Sequence, residues 1–218
     1  MNRLLTLDTW ELLWSFIHRV LVVNLGLVVG SLPLLFGLLT VAEPWRYPVF
    51  FGILVVLAGP AVAAAFAYLG DDDSRPPVRL FVAAYRAHWR RALAISAVVT
   101  GLVGVLLADI AMLYDAMPGA ALVPLLVVLV VLLVSAGSCA LALLSGSALD
   151  LFSVARVAVY AAVRGWPWSL VSLVVGAVAL VLVNQAPLLG LTTVPGCAAW
   201  VMLINARFQL GASVRAPA

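Results

Sequence analysis

The sequence predicts an all-α membrane protein of about six spanning helices, with amphipathic helices on the cytoplasmic surface. Three observations predict it. Hydrophobic residues make up 66% of the chain and charged residues 10%, with a mean hydropathy of +1.20. A soluble domain is roughly half apolar and about a quarter charged. Apolar runs of about twenty residues recur along the chain, each long enough to cross roughly 30 Å of hydrocarbon as a helix. The runs do not alternate apolar with polar residues as barrel strands do, and LVPLLVVLVVLLVSAG is an example. Residues 1–218 therefore read as a single transmembrane domain.

Residues 3–19 place Leu4, Trp10, Leu13, Trp14 and Ile17 on one broad helical face. This is a short amphipathic lead-in, its tryptophans at headgroup depth. Because the start carries Asp8 and Glu11, and no small-residue cleavage site follows, no cleavable signal peptide is expected. Span 1 covers about residues 20–40 and holds Asn24, the Gly26-x-x-x-Gly30 pair and Pro33. The glycine pair admits a close neighbouring helix, in the same chain or in a second copy. Pro33 should kink or break the helix.

AEPWRYP forms a turn with interfacial Trp45 and Tyr47, and span 2 follows over about 49–69. Gly59-Pro60 is expected to interrupt that span, and GDDDSRPP ends it. The next helix, about 75–91, gathers Val78, Phe81, Val82, Tyr85 and Trp89 on one side. Arg75, Arg79, Arg86 and Arg90 run beside them. Such a helix should lie in the interface, its arginines reaching phosphates or a partner.

Spans 3 and 4 cover about 92–113 and 119–144. A weaker amphipathic segment, about 148–165, carries Arg156 and Arg164 and ends at Trp166-Pro167-Trp168. Span 5 covers about 168–184. Span 6 covers about 187–206, with a second expected break at Pro195-Gly196. Gly59 to Asp109 has a fainter counterpart from Gly137 to Asn184, where a shift of 75 aligns Gly101 with Gly176. Two spans per unit would make this a parallel repeat about the membrane normal.

All twelve basic residues are arginine. With six spans and an inner N-terminus, Arg3, Arg19, Arg75, Arg79, Arg86, Arg90, Arg91, Arg156, Arg164, Arg207 and Arg215 lie inside and only Arg46 outside. The positive-inside rule then puts both termini in the cytoplasm. A net charge of +3, spread over membrane edges, does not describe a nucleic-acid surface.

Polar groups inside spans are the first candidates for chemistry. Asn24 has two readings, an interhelical hydrogen bond or a functional group. Asp109 and Asp115 could meet Asn184 and Gln185 at the outer face, or simply end their helices in solvent. Asp71-Asp72-Asp73 reads as a solvated helix stop, and His18 and His88 as surface residues. Cys139 and Cys197 read as small buried packing residues. No catalytic motif, metal-ligand set or cofactor site is evident. The expected breaks at Gly59-Pro60 and Pro195-Gly196 could serve packing, or expose backbone groups to a solute as in transporters.

Three stretches together resemble the YesL family of bacterial membrane proteins. They are NLGLVVGSLP from Asn24 to Pro33, GPAVAAA from Gly59 to Ala65, and RLFVAAYRAHWRR from Arg79 to Arg91. The resemblance covers about residues 14–110. It implies a location in the bacterial inner membrane. Members are often encoded near carbohydrate ABC importers, which implies an accessory role in sugar uptake with an ABC permease as partner. The residues themselves leave three readings open: a non-enzymatic accessory or regulatory protein, an autonomous small-solute transporter or channel, and, last, an intramembrane enzyme.

Overall fold

The computed structural model describes residues 2–70, 76–114, 119–144, 149–185 and 187–214, and every regular element in them is helical. Asp71 to Asp73, Arg75 and Asp115 lie outside the described residues, as does the side chain of Asn184. The helices are α1 (Asn2–Gly30), α2 (Leu32–Thr40), α3 (Pro48–Gly70), α4 (Pro77–Tyr114), α5 (Val123–Leu144), α6 (Leu151–Arg164), α7 (Trp166–Gln185) and α8 (Pro187–Val214). Short 3-10 turns at Pro44–Arg46 and Gly119–Leu122 precede α3 and α5.

Proline sets most of the helix starts. Pro48, Pro77 and Pro187 open their helices, and Pro33, Pro124 and Pro167 occupy second positions. The first turn has no intrahelical acceptor for its N–H groups, so a residue lacking one costs nothing there. α6 starts differently: Asp150 caps it, its carboxylate accepting from the Ser153 N–H at 3.4 Å.

Three helices are long and apolar enough to cross a membrane: Pro48–Gly70, Pro77–Leu113 and Val123–Leu144. Two bent pairs also qualify if each is one span, α1 with α2 at 62° and α6 with α7 at 95°. That gives three to five candidate spans among the described residues, beside the six read from sequence. Large apolar side chains such as Leu39, Val49, Met112 and Phe152 point outward, as a membrane location would have them.

Several boundaries differ from the sequence reading. The amphipathic stretch 75–91 and span 3 are not separate elements. Their described residues form one 38-residue helix, α4. No glycine or proline lies between Val78 and Thr100, so nothing stops the helix where its composition turns apolar. The lead-in and the start of span 1 are likewise one helix, ending at Gly30. There the chain does break, as Pro33 requires. Ser31 covers part of the break, its hydroxyl donating to the Leu27 carbonyl at 2.5 Å.

The helices run unbroken through both Pro60 and Pro195. Each proline removes one intrahelical bond, but tertiary packing holds the helix around it. The proposed repeat also differs at its joints. α4 is continuous, whereas α6 and α7 turn sharply at Gly165, whose N–H closes α6 on the Ala161 carbonyl.

The core lies where α3, α4, α5, α6 and α8 meet, around Phe66, Ala92, Cys139, Leu144, Val154 and Leu203. Much of it is alanine and glycine, so the backbones approach closely. A Cβ at Gly59 would strike the Ser96 side chain on α4, and one at Gly137 would meet Val99 at 3.1 Å.

Candidate functional site

Arginines gather at one end of the bundle. Arg207 Nη2 donates to the Gly70 carbonyl at 3.3 Å, tying α8 to the last turn of α3. Arg91 Nη1 donates to the Leu149 carbonyl at 3.5 Å, just before α6. Arg164 donates to the Tyr160 hydroxyl at 2.9 Å. Arg46 sits before the opposite end of α3, about 34 Å of helix away, and forms an ion pair with Glu43.

Within this end, Arg79, Arg86 and Arg90 are all exposed on α4. At 3.6 residues per turn they fall within about 40° of one another around the helix. None of them forms an ion pair among the described residues. Arg90 stacks on Trp89, 5.2 Å from the ring centroid. Tyr85 and Trp89 are also exposed, with Val78 and Val82 beside them. Phe81, read as part of the same apolar face, is buried instead: its ring lies over Gly26 of α1.

That insertion leaves an apolar groove of about 610 Å³ bounded by α1, α2, α3 and α4. Val22, Leu25, Val29 and Leu57 form much of its wall, and Pro33 and Tyr85 also line it. Among the described residues Arg86 is the one charged member of its lining. Pro33 thus comes together with Tyr85 and Arg86, some fifty residues on.

A second pair also converges. Asn24 is buried, and its Oδ1 accepts the Gly196 N–H at 2.5 Å. A Cβ at Gly196 would lie 2.9 Å from both Asn24 Oδ1 and the Val20 carbonyl. Of the two readings of Asn24, the geometry is that of the interhelical bond. The bond ties α8 to α1 at the residue just after Pro195.

Gly59 and Pro60 are both buried in the α3–α4 contact. Gly26 and Gly30 are covered within the chain, by Phe81 and Ala61. The glycine pair therefore joins three helices of this chain, and self-association would have to use another surface.

The two cysteines part company. Cys139 is buried and its thiol donates to Gln209 Oε1 at 3.1 Å, whereas Cys197 is exposed. Cys197 follows Gly196, whose close contact with α1 turns the next position about 100° away, out of that interface. Asn205 also joins helices, donating through Nδ2 to the Trp168 carbonyl at 2.6 Å and to the Ser172 hydroxyl. Neither Asn205 nor Gln209 stood out as a candidate from sequence. A polar residue four positions on along the same apolar helix was the available signal. His18, Asp109 and Gln185 are exposed and His88 is half-buried. No cluster of three metal-ligating side chains occurs among the described residues.

Residues 11–110 match the model of a family described as a protein of unknown function, DUF624. The match spans α3, most of α1 and α4, and all three motif stretches, including Asn24, Gly59, Pro60, Tyr85 and Arg86. No curated protein and no solved structure matches the chain.

Proposed function

We propose that this chain is a non-enzymatic accessory or regulatory protein of the bacterial inner membrane. It docks on a membrane partner through the arginine-bearing half of α4, with both termini on the cytoplasmic side. The observation that carries the reading is the exposed surface of Arg79, Arg86, Arg90, Tyr85 and Trp89 on α4. Exposed arginine and aromatic side chains on one helix are the residues most often found at the centre of interfaces. Arg75 would extend the band by one turn. The resemblance to the YesL family directs the choice of partner to a carbohydrate ABC permease.

The autonomous transporter is the second reading. Its sequence motivation was a pair of broken helices at membrane depth, and continuous helices run through Pro60 and Pro195 instead. Pull-down of the tagged protein in mild detergent separates the two. Stoichiometric recovery of a permease, lost when Arg79→Glu and Arg90→Glu are combined, supports docking. Recovery of the chain alone, together with solute flux in liposomes holding only this protein, would replace docking with transport.

A further inference from the structure

The groove beside Arg86 shares Tyr85 and Arg86 with the outward arginine surface but adds an apolar chemistry of its own. Leu25, Val29 and Leu57 wall it and are themselves exposed, at 60%, 58% and 41%, so the groove opens sideways from the bundle. In a membrane that direction faces lipid. Its volume, about 610 Å³, lies in the range that holds a small organic ligand. From Val22 to Gly30 the wall extends about 12 Å along α1. These dimensions and this lining suit a hydrocarbon chain.

One feature of the lining is out of place for hydrocarbon alone. Arg86 is cationic, and among the described residues no side-chain carboxylate lines the groove with it. A guanidinium beside apolar walls is favourable when an anion completes it, and its planar fork matches two phosphate oxygens. Tyr85, whose side chain carries a hydroxyl donor, belongs to the same lining. Arg79 and Arg90, one or two turns away on nearly the same face, raise the local positive potential.

We infer that this groove is a binding site for one anionic phospholipid. An acyl chain would lie among Val22, Leu25, Val29 and Leu57, with the headgroup phosphate on Arg86. A zwitterionic lipid offers the same chain and phosphate, but its ammonium group meets the positive field of Arg79, Arg86 and Arg90. Charge therefore selects the lipid class. At the floor of the site the Phe81 ring lies against Gly26, where α1 and α4 meet.

The test uses the purified full-length chain in detergent, without any partner, so its result is independent of docking. Native mass spectrometry counts bound phosphatidylglycerol, and thermal unfolding follows its effect. One phosphatidylglycerol per chain is expected, with a raised unfolding midpoint and at least tenfold weaker binding of phosphatidylcholine. Arg86→Ala should weaken phosphatidylglycerol binding at least tenfold, and Arg86→Lys should restore part of it. Leu25→Trp, which fills the groove from an exposed position, should abolish binding, with an unchanged circular dichroism spectrum reporting the fold. Equal binding of phosphatidylcholine, the same protection by inorganic phosphate, or unchanged binding in Arg86→Ala would overturn the site. So would a dimer in light scattering that Leu25→Trp converts to monomer, because a second copy would then occupy the groove.

Discussion

Asn24 shows how a single polar side chain can serve a helix other than its own. Pro195 interrupts the hydrogen bonding of α8, and the Asn24 carboxamide oxygen takes the Gly196 N–H that follows it. At membrane depth no water waits to replace a lost acceptor. Asn24→Ala should therefore destabilise the fold by about 1–2 kcal/mol, within the measured range for buried and intramembrane hydrogen bonds. Thermal unfolding in detergent measures it, with Gln185→Ala as an exposed control expected to leave the midpoint unchanged. An unaltered midpoint in Asn24→Ala would mean that another group satisfies Gly196. Glycine at 196 belongs to the same arrangement, since a Cβ there would press on the backbone carbonyl of Val20 as well as on Asn24.

Among the elements, α6 depends most visibly on its cap. Hydrogen bonds from Ser153, through its side chain and then its backbone N–H, hold the Asp150 carboxyl below the usual carboxylate range. A carboxyl whose pKa is lower folded than unfolded stabilises the fold when ionised. Its contribution is complete above the unfolded-state value and is lost as pH falls through the folded value. Acid unfolding of the wild type should therefore include a component that Asp150→Asn reduces, and the two stability curves should converge at low pH. Parallel curves would show that the cap is not coupled to folding.

Prolines made most element starts legible, because Pro48, Pro77 and Pro187 fall where a missing N–H is harmless. The same rule misleads at Pro60 and Pro195. There, close packing against Ser96 and Asn24 keeps the helices whole, and packing partners are not visible in one-dimensional text. The join inside α4 was hidden for a different reason. A change from arginine-rich to apolar composition looks like a boundary, but RAHWRRALA contains nothing that ends a helix. The site was half legible. Arg86 and Tyr85 stood out by type and spacing, while the groove beside them depends on Phe81 turning inward, which the helical wheel grouped with its exposed neighbours.

For the whole molecule, the two ends differ in charge, and the proposed orientation can be measured directly. In a Cys197→Ala background, a cysteine replacing exposed Trp45 should react with a membrane-impermeant maleimide added outside intact spheroplasts. A cysteine replacing exposed Ala87 should react only after the membrane is opened. The reverse pattern would place the arginine end outside. The helical class was plain from composition alone, because 66% apolar residues leave few alternatives. The number of crossings was not, since α1–α2 and α6–α7 bend within single apolar stretches and the text carries no angle.

Voltage acts on that unequal distribution. Arg46 is balanced on the spot by Glu43, so its end presents little net charge to the field. At the other end Arg79, Arg86 and Arg90 form no ion pair among the described residues. Moving one elementary charge across an energised membrane involves roughly 2.3 kcal/mol per 100 mV. With the arginine end in the electrically negative compartment, inverting the chain would drive each of these cations uphill. In that orientation the membrane potential adds to the cost of inversion, and discharging the membrane removes that part alone.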